Sequence, residues 1–144
     1  MMKVTEIMTT DVETCTKDTS IQEVATQMLN LDVGSIPIVD TNGGSLVGII
    51  TDRDIVIRGI AANFTLDTPV GQIISSELVT GTPDMDVEDA ATLMADNQIR
   101  RLPICEGNKL LGVVSLGDIA VKDPTDRNAG AAIEDISKPS QSND

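Results

Sequence analysis

The sequence predicts an α/β (α+β) protein built from two copies of one β-α-β-β-α unit. Three observations carry this expectation. Shifted by 66 residues, segment 4–40 overlays 70–106, with identities at Val4/Val70, Ile7/Ile73, Thr14/Thr80, Thr16/Thr82, Asp18/Asp84, Ala25/Ala91, Met28/Met94 and Pro37/Pro103. After a two-residue shortening the offset becomes 64, and Leu46/Leu110, Gly48/Gly112, Asp54/Asp118 and Ile55/Ile119 match as well. Scattered identity at a near-constant offset is the signature of an internal structural duplication. In each copy, finally, a stripe at helical period is followed by two short aliphatic runs around a Gly/Asn turn.

The elements follow in chain order. A short extended piece opens each copy, at 12–16 and 78–82. A helix comes next. Ile21, Val24, Ala25, Met28 and Leu29 recur at helical spacing, and so do Val87, Ala90, Ala91, Met94 and Ala95. Both stripes are expected to pack on the sheet rather than face a partner. Ser20 with Glu23 makes a capping box for the first helix, and Asp86 can cap the second. Two aliphatic strands follow, 35–39 and 46–50, joined by Asn42-Gly43-Gly44; their copies are 101–105 and 110–114, joined through Gly107-Asn108. A second helix starts after Thr51 and after Ser115. The first repeat is thus 1–61, a linker occupies 62–69, and the second repeat is 70–122. The polar, breaker-rich tail 123–144 is expected to be partly disordered. A unit of about fifty residues is marginal alone, so the copies are expected to pack face to face and share a core.

Composition narrows function. The 144 residues include 13 Val, 16 Ile and 10 Leu, enough for a real core. There is no His, Tyr or Trp and a single Phe. This removes His-based triads, imidazole metal sites and aromatic platforms for single-stranded nucleic acid. A net charge of −13 repels phosphate backbones and anionic lipid, so neither nucleic acid nor a membrane is expected as a partner. Cys15 and Cys105 lie far apart in no CxxC pair, and no metal site is indicated. The start MMKVTEIMTTD has no long apolar stretch after Lys3, and the longest aliphatic runs are too short for a bilayer. A cytoplasmic location is expected.

Candidate chemistry lies in one phrase. GIITDRDI, residues 48–55, recurs as GVVSLGDI, residues 112–119. Thr51-x-x-Asp54 and Ser115-x-x-Asp118 both match the [ST]-x-x-[DE] pattern of a helix start, although Glu or Gln is usual at the last position. Capping does not explain the glycine three residues upstream in both copies. A ligand approaching backbone at the strand end does, with the hydroxyl and carboxylate holding a sugar diol. On spacing alone both readings stay open.

The duplicated unit, the IPIVD and LPICE strands and the GIITDRDI and GVVSLGDI segments together resemble the CBS domain (cystathionine-β-synthase-type domain). The chain looks like a stand-alone bacterial tandem CBS protein, a Bateman module, from Val4 to about Lys122. The resemblance implies two CBS repeats packed through their sheets about a pseudo-two-fold axis, with two clefts that in many members bind adenosine nucleotides or related adenosyl ligands. It implies that Asp54 and Asp118 accept from ribose hydroxyls, with Thr51 and Ser115 assisting near ribose and phosphate. It further implies that Arg100 and Arg101, just before Leu102-Pro103, reach the phosphate of the ligand whose ribose Thr51 and Asp54 hold. Their first-repeat counterparts, Gly34 and Ser35, carry no charge, so the Ser115/Asp118 cleft is expected to be the weaker phosphate site, or vacant, or suited to an uncharged nucleoside. Ion pairing with the chain's many carboxylates is the other reading of the two arginines. Arg53 could touch phosphate or orient Asp52 or Asp54, and Arg58 is expected to be exposed. An adenine ring is expected on the backbone around Thr14 and Thr16 and around Thr80 and Thr82.

The favoured function is therefore a regulatory ligand-sensing module for AMP, ADP, ATP or a related adenosyl ligand, with Mg²⁺ accompanying ATP. A homodimer and an unidentified protein partner are the expected associations. The alternative is a structural dimerisation scaffold with vacant clefts. An enzyme is disfavoured and no catalytic residue is assigned: Asp52, Asp54 and Arg53 could hold Mg²⁺, yet there is no Walker A segment and no base near neutral pKa.

Overall fold

The structure is a computed structural model that describes residues 2–42, 44–75 and 77–122. The tail expected at 123–144 lies outside the described residues. In each copy a single turn of 3₁₀ helix comes first, at Val4–Glu6 and at Val70–Gln72. The first copy continues with α1 (Ile21–Leu31), β1 (Ser35–Val39), β2 (Leu46–Thr51) and α2 (Asp52–Asp54). From α2 the chain runs directly into a π-wound turn at Ile55–Ile60. The second copy supplies α3 (Val87–Asp96), β3 (Arg101–Glu106), β4 (Lys109–Ser115) and α4 (Leu116–Lys122). Each strand pair forms a separate two-stranded sheet.

Local chemistry explains these boundaries. The Ser20 hydroxyl accepts from the Glu23 amide at 3.1 Å and caps α1. At α3 the expected cap is diverted: the Asp86 carboxylate instead takes the Lys3 ammonium at 2.8 Å, a stronger charge-assisted partner. α1 is capped by Asp32 in the left-handed region at φ 56°, whereas α3 is capped by Asn97 at φ −100° and the left-handed residue, Gln98 at φ 53°, comes one position later. β1 and β2 run antiparallel in the register Ser35↔Thr51, Ile36↔Ile50 and Pro37↔Ile49. In the second copy the hairpin turns on Gly107, whose φ of +62° suits glycine. The extended pieces pair only locally and in parallel, through Cys15↔Ile38 and Gly81↔Ile104.

The chain forms two compact units that do not coincide with the sequence repeats. Among the described residues, one is Glu13–Leu78 with Gly107–Leu110; the other holds 2–12, Val79–Glu106 and 111–122. The head of each repeat is therefore exchanged. Val4 and Ile7 are buried with Val87, Ala90, Met94, Leu102 and Ile104. Val70 and Ile73 are buried with Ile21, Val24, Ile36, Ile38 and Ile50. Each unit has its own buried cluster, completed by the apolar turn it receives.

The helix stripes are narrower than expected in the first copy. Ile21, Val24 and Met28 are buried, whereas Ala25 and Leu29 are exposed. Each follows a buried neighbour by one residue, which rotates it about 100° around the helix and off the sheet. In α3, by contrast, Ala90 and Ala91 are both buried.

The exchange also accounts for the repeated glycines. A Cβ on Gly112 would lie 2.7 Å from the Thr9 carbonyl oxygen, and Thr9 and Val113 exchange two backbone hydrogen bonds of 2.9 Å. A Cβ on Gly48 would meet the tip of the Ile74 side chain at 3.1 Å and the Ser75 carbonyl at 3.5 Å. Gly112 thus admits the exchanged backbone, and Gly48 the side chain of Ile74, which gives each glycine a packing role in its own unit. Gly112→Ala should lower stability by roughly 1–3 kcal/mol through overpacking against fixed backbone. Gly48→Ala should cost less, because the end of a flexible isoleucine can move. Urea denaturation of the two variants checks this, and a larger loss for Gly48→Ala contradicts it.

Candidate functional site

The strand-to-helix turns of the two copies have the same construction. In the first, the Asp54 amide donates to Thr51 Oγ1 at 3.0 Å and the Thr51 amide donates to Asp54 Oδ2 at 3.0 Å. In the second, the Asp118 amide donates to Ser115 Oγ at 3.0 Å and the Ser115 amide donates to Asp118 Oδ2 at 3.3 Å. These are reciprocal capping boxes, with Asp in the place of the usual Glu. The box engages Oδ2 of each aspartate and leaves Oδ1 to face elsewhere. All four residues are half-buried.

Each turn is also fastened to the residue preceding the copy's first strand. The Asp52 amide donates to the Gly34 carbonyl at 2.9 Å, and the Leu116 amide donates to the Arg100 carbonyl at 3.0 Å. Gly34 and Ser35 therefore adjoin the Thr51/Asp54 turn within one unit. Arg100 and Arg101, both exposed, adjoin the Ser115/Asp118 turn within the other. Gly34 carries a further constraint: a Cβ there would lie 3.2 Å from Asp52 Oδ2.

The remaining expected residues are placed as follows. The Arg53 amide donates to Asp52 Oδ1 at 2.8 Å, and both residues are exposed. Thr14 and Thr16 line a groove of about 480 Å³ shared with Thr19, Gln22, Thr26 and Gln27; no residue of the Thr51–Asp54 turn is in its wall. In its wall the Cys15 thiol donates to Gln27 Oε1 at 2.8 Å. Thr80 is exposed, and the Thr82 hydroxyl donates to Asp84 Oδ1 at 2.7 Å, which holds the Asp84 carboxyl below its ordinary range. Arg58 is expected to be exposed. It is exposed, but its Nε lies 4.0 Å from Asp54 Oδ1, the oxygen outside the box. The signal was present as an i,i+4 Asp–Arg pair. Among the described residues no group of three or more Cys, Asp and Glu side chains is placed to hold a metal ion.

The residues 4–59 and 70–122 both match the family model of the CBS domain. The chain belongs to the CBS-domain family. It is 47% identical over 137 residues to the CBS domain-containing protein YhcV of Bacillus subtilis, covering 95% of this chain and 96% of that one. The CBS domain pair of protein MJ0100, solved with 5′-methylthioadenosine and S-adenosyl-L-methionine, is 27% identical with a TM-score of 0.75, over 87% of this chain and 98% of that one. Hypoxic Response Protein I, solved with two coordinated zinc ions, is 28% identical with a TM-score of 0.77, over 85% and 99%. No helix among the described residues is long and apolar enough to cross a membrane.

Two outcomes follow from this geometry. Thr51→Ala and Ser115→Ala should each destabilise the protein by about 1 kcal/mol without any ligand, because each removes one arm of a cap; thermal unfolding reads this directly. Burial pushes the Cys15 and Cys105 thiols up from their ordinary range. At pH 8 both should therefore carry less thiolate than free cysteine and alkylate slowly until urea is added. Mass spectrometry after iodoacetamide measures this, and rapid labelling of the native protein contradicts it.

Proposed function

We propose that this CBS pair is a regulatory module that senses an adenosine-type ligand, AMP or ATP or a related adenosyl compound. One observation carries the reading: each Ser/Thr-x-x-Asp turn commits Oδ2 of its aspartate to the box and leaves Oδ1 able to accept from a diol. The box fixes the carboxylate rotamer before a ligand arrives, which lowers the ordering cost of binding. The adenosyl ligands in the MJ0100 CBS pair support the same class. Thr51 and Asp54 then hold one ribose, and Ser115 and Asp118 another. Arg100 and Arg101 supply the phosphate contacts, and Mg²⁺ enters only as the counterion of ATP. The protein acts in the cytoplasm, without catalysis of its own, as a homodimer whose state a protein partner reads. Its functional divisions are the repeats 1–61 and 70–122 about the linker 62–69.

Isothermal titration of AMP and adenosine against three variants tests this. Asp54→Ala should cost on the order of 1.5–3 kcal/mol for both ligands, the range for hydrogen bonds to a charged group. Arg101→Ala should cost as much for AMP and much less for adenosine, which has no phosphate. Asp118→Ala should weaken AMP least, because the resemblance gives its ligand no cation. A double-mutant cycle then pairs Arg101 with Asp54 or with Asp118. Coupling to Asp118 instead of Asp54 inverts the assignment. No heat with any adenosine ligand leaves the scaffold reading, for which capping alone explains both turns.

A further inference from the structure

The box turn of the first repeat has a basic neighbour that the cap itself does not use. Arg58 lies four residues beyond Asp54, in the π-wound turn Ile55–Ile60, and its Nε stands 4.0 Å from Asp54 Oδ1. That separation makes an ion pair but is too long for a hydrogen bond. Oδ1 therefore keeps its lone pairs for a diol, and the guanidinium keeps its N–H donors for another acceptor. The Asp54 side chain is 19% exposed and that of Arg58 51%, so the guanidinium is accessible to an arriving group.

Charge decides what that group is. The chain holds 10 cations against 23 carboxylates, which opposes any anion at long range. At the diol oxygen itself, however, the charge of Arg58 offsets that of Asp54, and an anionic ligand is not repelled there. A cationic group in the same place would meet the guanidinium at close range. The second repeat has Lys122 four residues after Asp118, so both copies keep a basic residue at this spacing although the residues around them have diverged. An exposed i,i+4 ion pair by itself adds little to a helix. A cation beside a diol acceptor suits a nucleotide, whose phosphate is tethered to the ribose through one carbon and one oxygen.

We propose that Arg58 makes the first-repeat site selective for adenosyl ligands with an anionic 5′ group over neutral or sulfonium ones. The proposal rests on the adenosine-ligand reading and deepens it: Asp54 Oδ1 takes the diol, and Arg58 faces the 5′ substituent. Phosphate recognition then begins within the repeat that holds the ribose, with Arg58 acting in addition to Arg100 and Arg101.

Isothermal titration of AMP, adenosine and S-adenosyl-L-methionine tests this. The wild type should bind AMP about tenfold or more tightly than adenosine, and S-adenosyl-L-methionine no more tightly than adenosine. Arg58→Gln should cut AMP affinity about tenfold and leave adenosine within about twofold, while Arg58→Lys keeps most of the AMP preference. The preference should also shrink in about 0.5 M NaCl, as an accessible charge contact does. Thermal unfolding of Arg58→Gln without ligand separates loss of fold from loss of recognition. If Arg58→Gln weakens AMP and adenosine alike, the arginine serves only the helix, and the proposal is overturned. It is overturned equally, with the ligand class left standing, if Arg58→Gln changes neither or if the wild type binds adenosine as well as AMP. A wild type that binds none of the three removes the adenosine reading itself.

Discussion

A β-α-β-β-α unit of about fifty residues has too little apolar surface to close a core, and here each unit is completed by a turn of helix from the other repeat's sequence. Val4 and Ile7 enter one buried cluster, Val70 and Ile73 the other. The backbone hydrogen bonds between Thr9 and Val113 hold the first of these segments on β4, and glycine at 112 makes the approach possible. Burying two aliphatic side chains is worth roughly 3–6 kcal/mol, a large fraction of the stability of any small domain. The strand β4 that receives the segment ends at Ser115, so the position of the second box turn depends on this packing. β2 and Thr51 stand in the same relation to the segment that begins at Val70.

At the turns, folding and the proposed recognition draw on the same atoms. Oδ2 of Asp54 and of Asp118 caps a helix, and Oδ1 remains for another role. A carboxylate held this way is already ordered when it meets a diol. The arrangement also means that a substitution at either aspartate acts on helix initiation and on any ligand together, so stability and binding have to be measured side by side.

The two copies have diverged in complementary ways. The first has small, uncharged residues before its strand, Gly34 and Ser35, a guanidinium near its aspartate and a π-wound turn with large exposed aliphatics. The second has Arg100 and Arg101 before its strand and α4 in regular α-helix, with alanine at position 120. Duplication supplied two equivalent turns, and the residues around them no longer match.

Much of this was legible in the residues. The offset of 66, the helical stripes, the strand pairs and the Thr51/Asp54 and Ser115/Asp118 pairs all follow from local periodicity and short-range spacing, because helices, hairpins and caps are interactions within a few residues of one another. The sequence by itself therefore determined the repeated unit, its family and the candidate anchors. Other features depend on contacts between residues far apart in the chain. Lys3 diverts Asp86 from its cap, Thr9 explains Gly112, and Thr14 and Thr16 line a groove with residues of α1. Leu29 belongs to a helical stripe whether it faces a core or solvent, and only the position of the sheet decides which. Tertiary structure alone made those decisions, since periodicity records which residues share a face but not what lies opposite it.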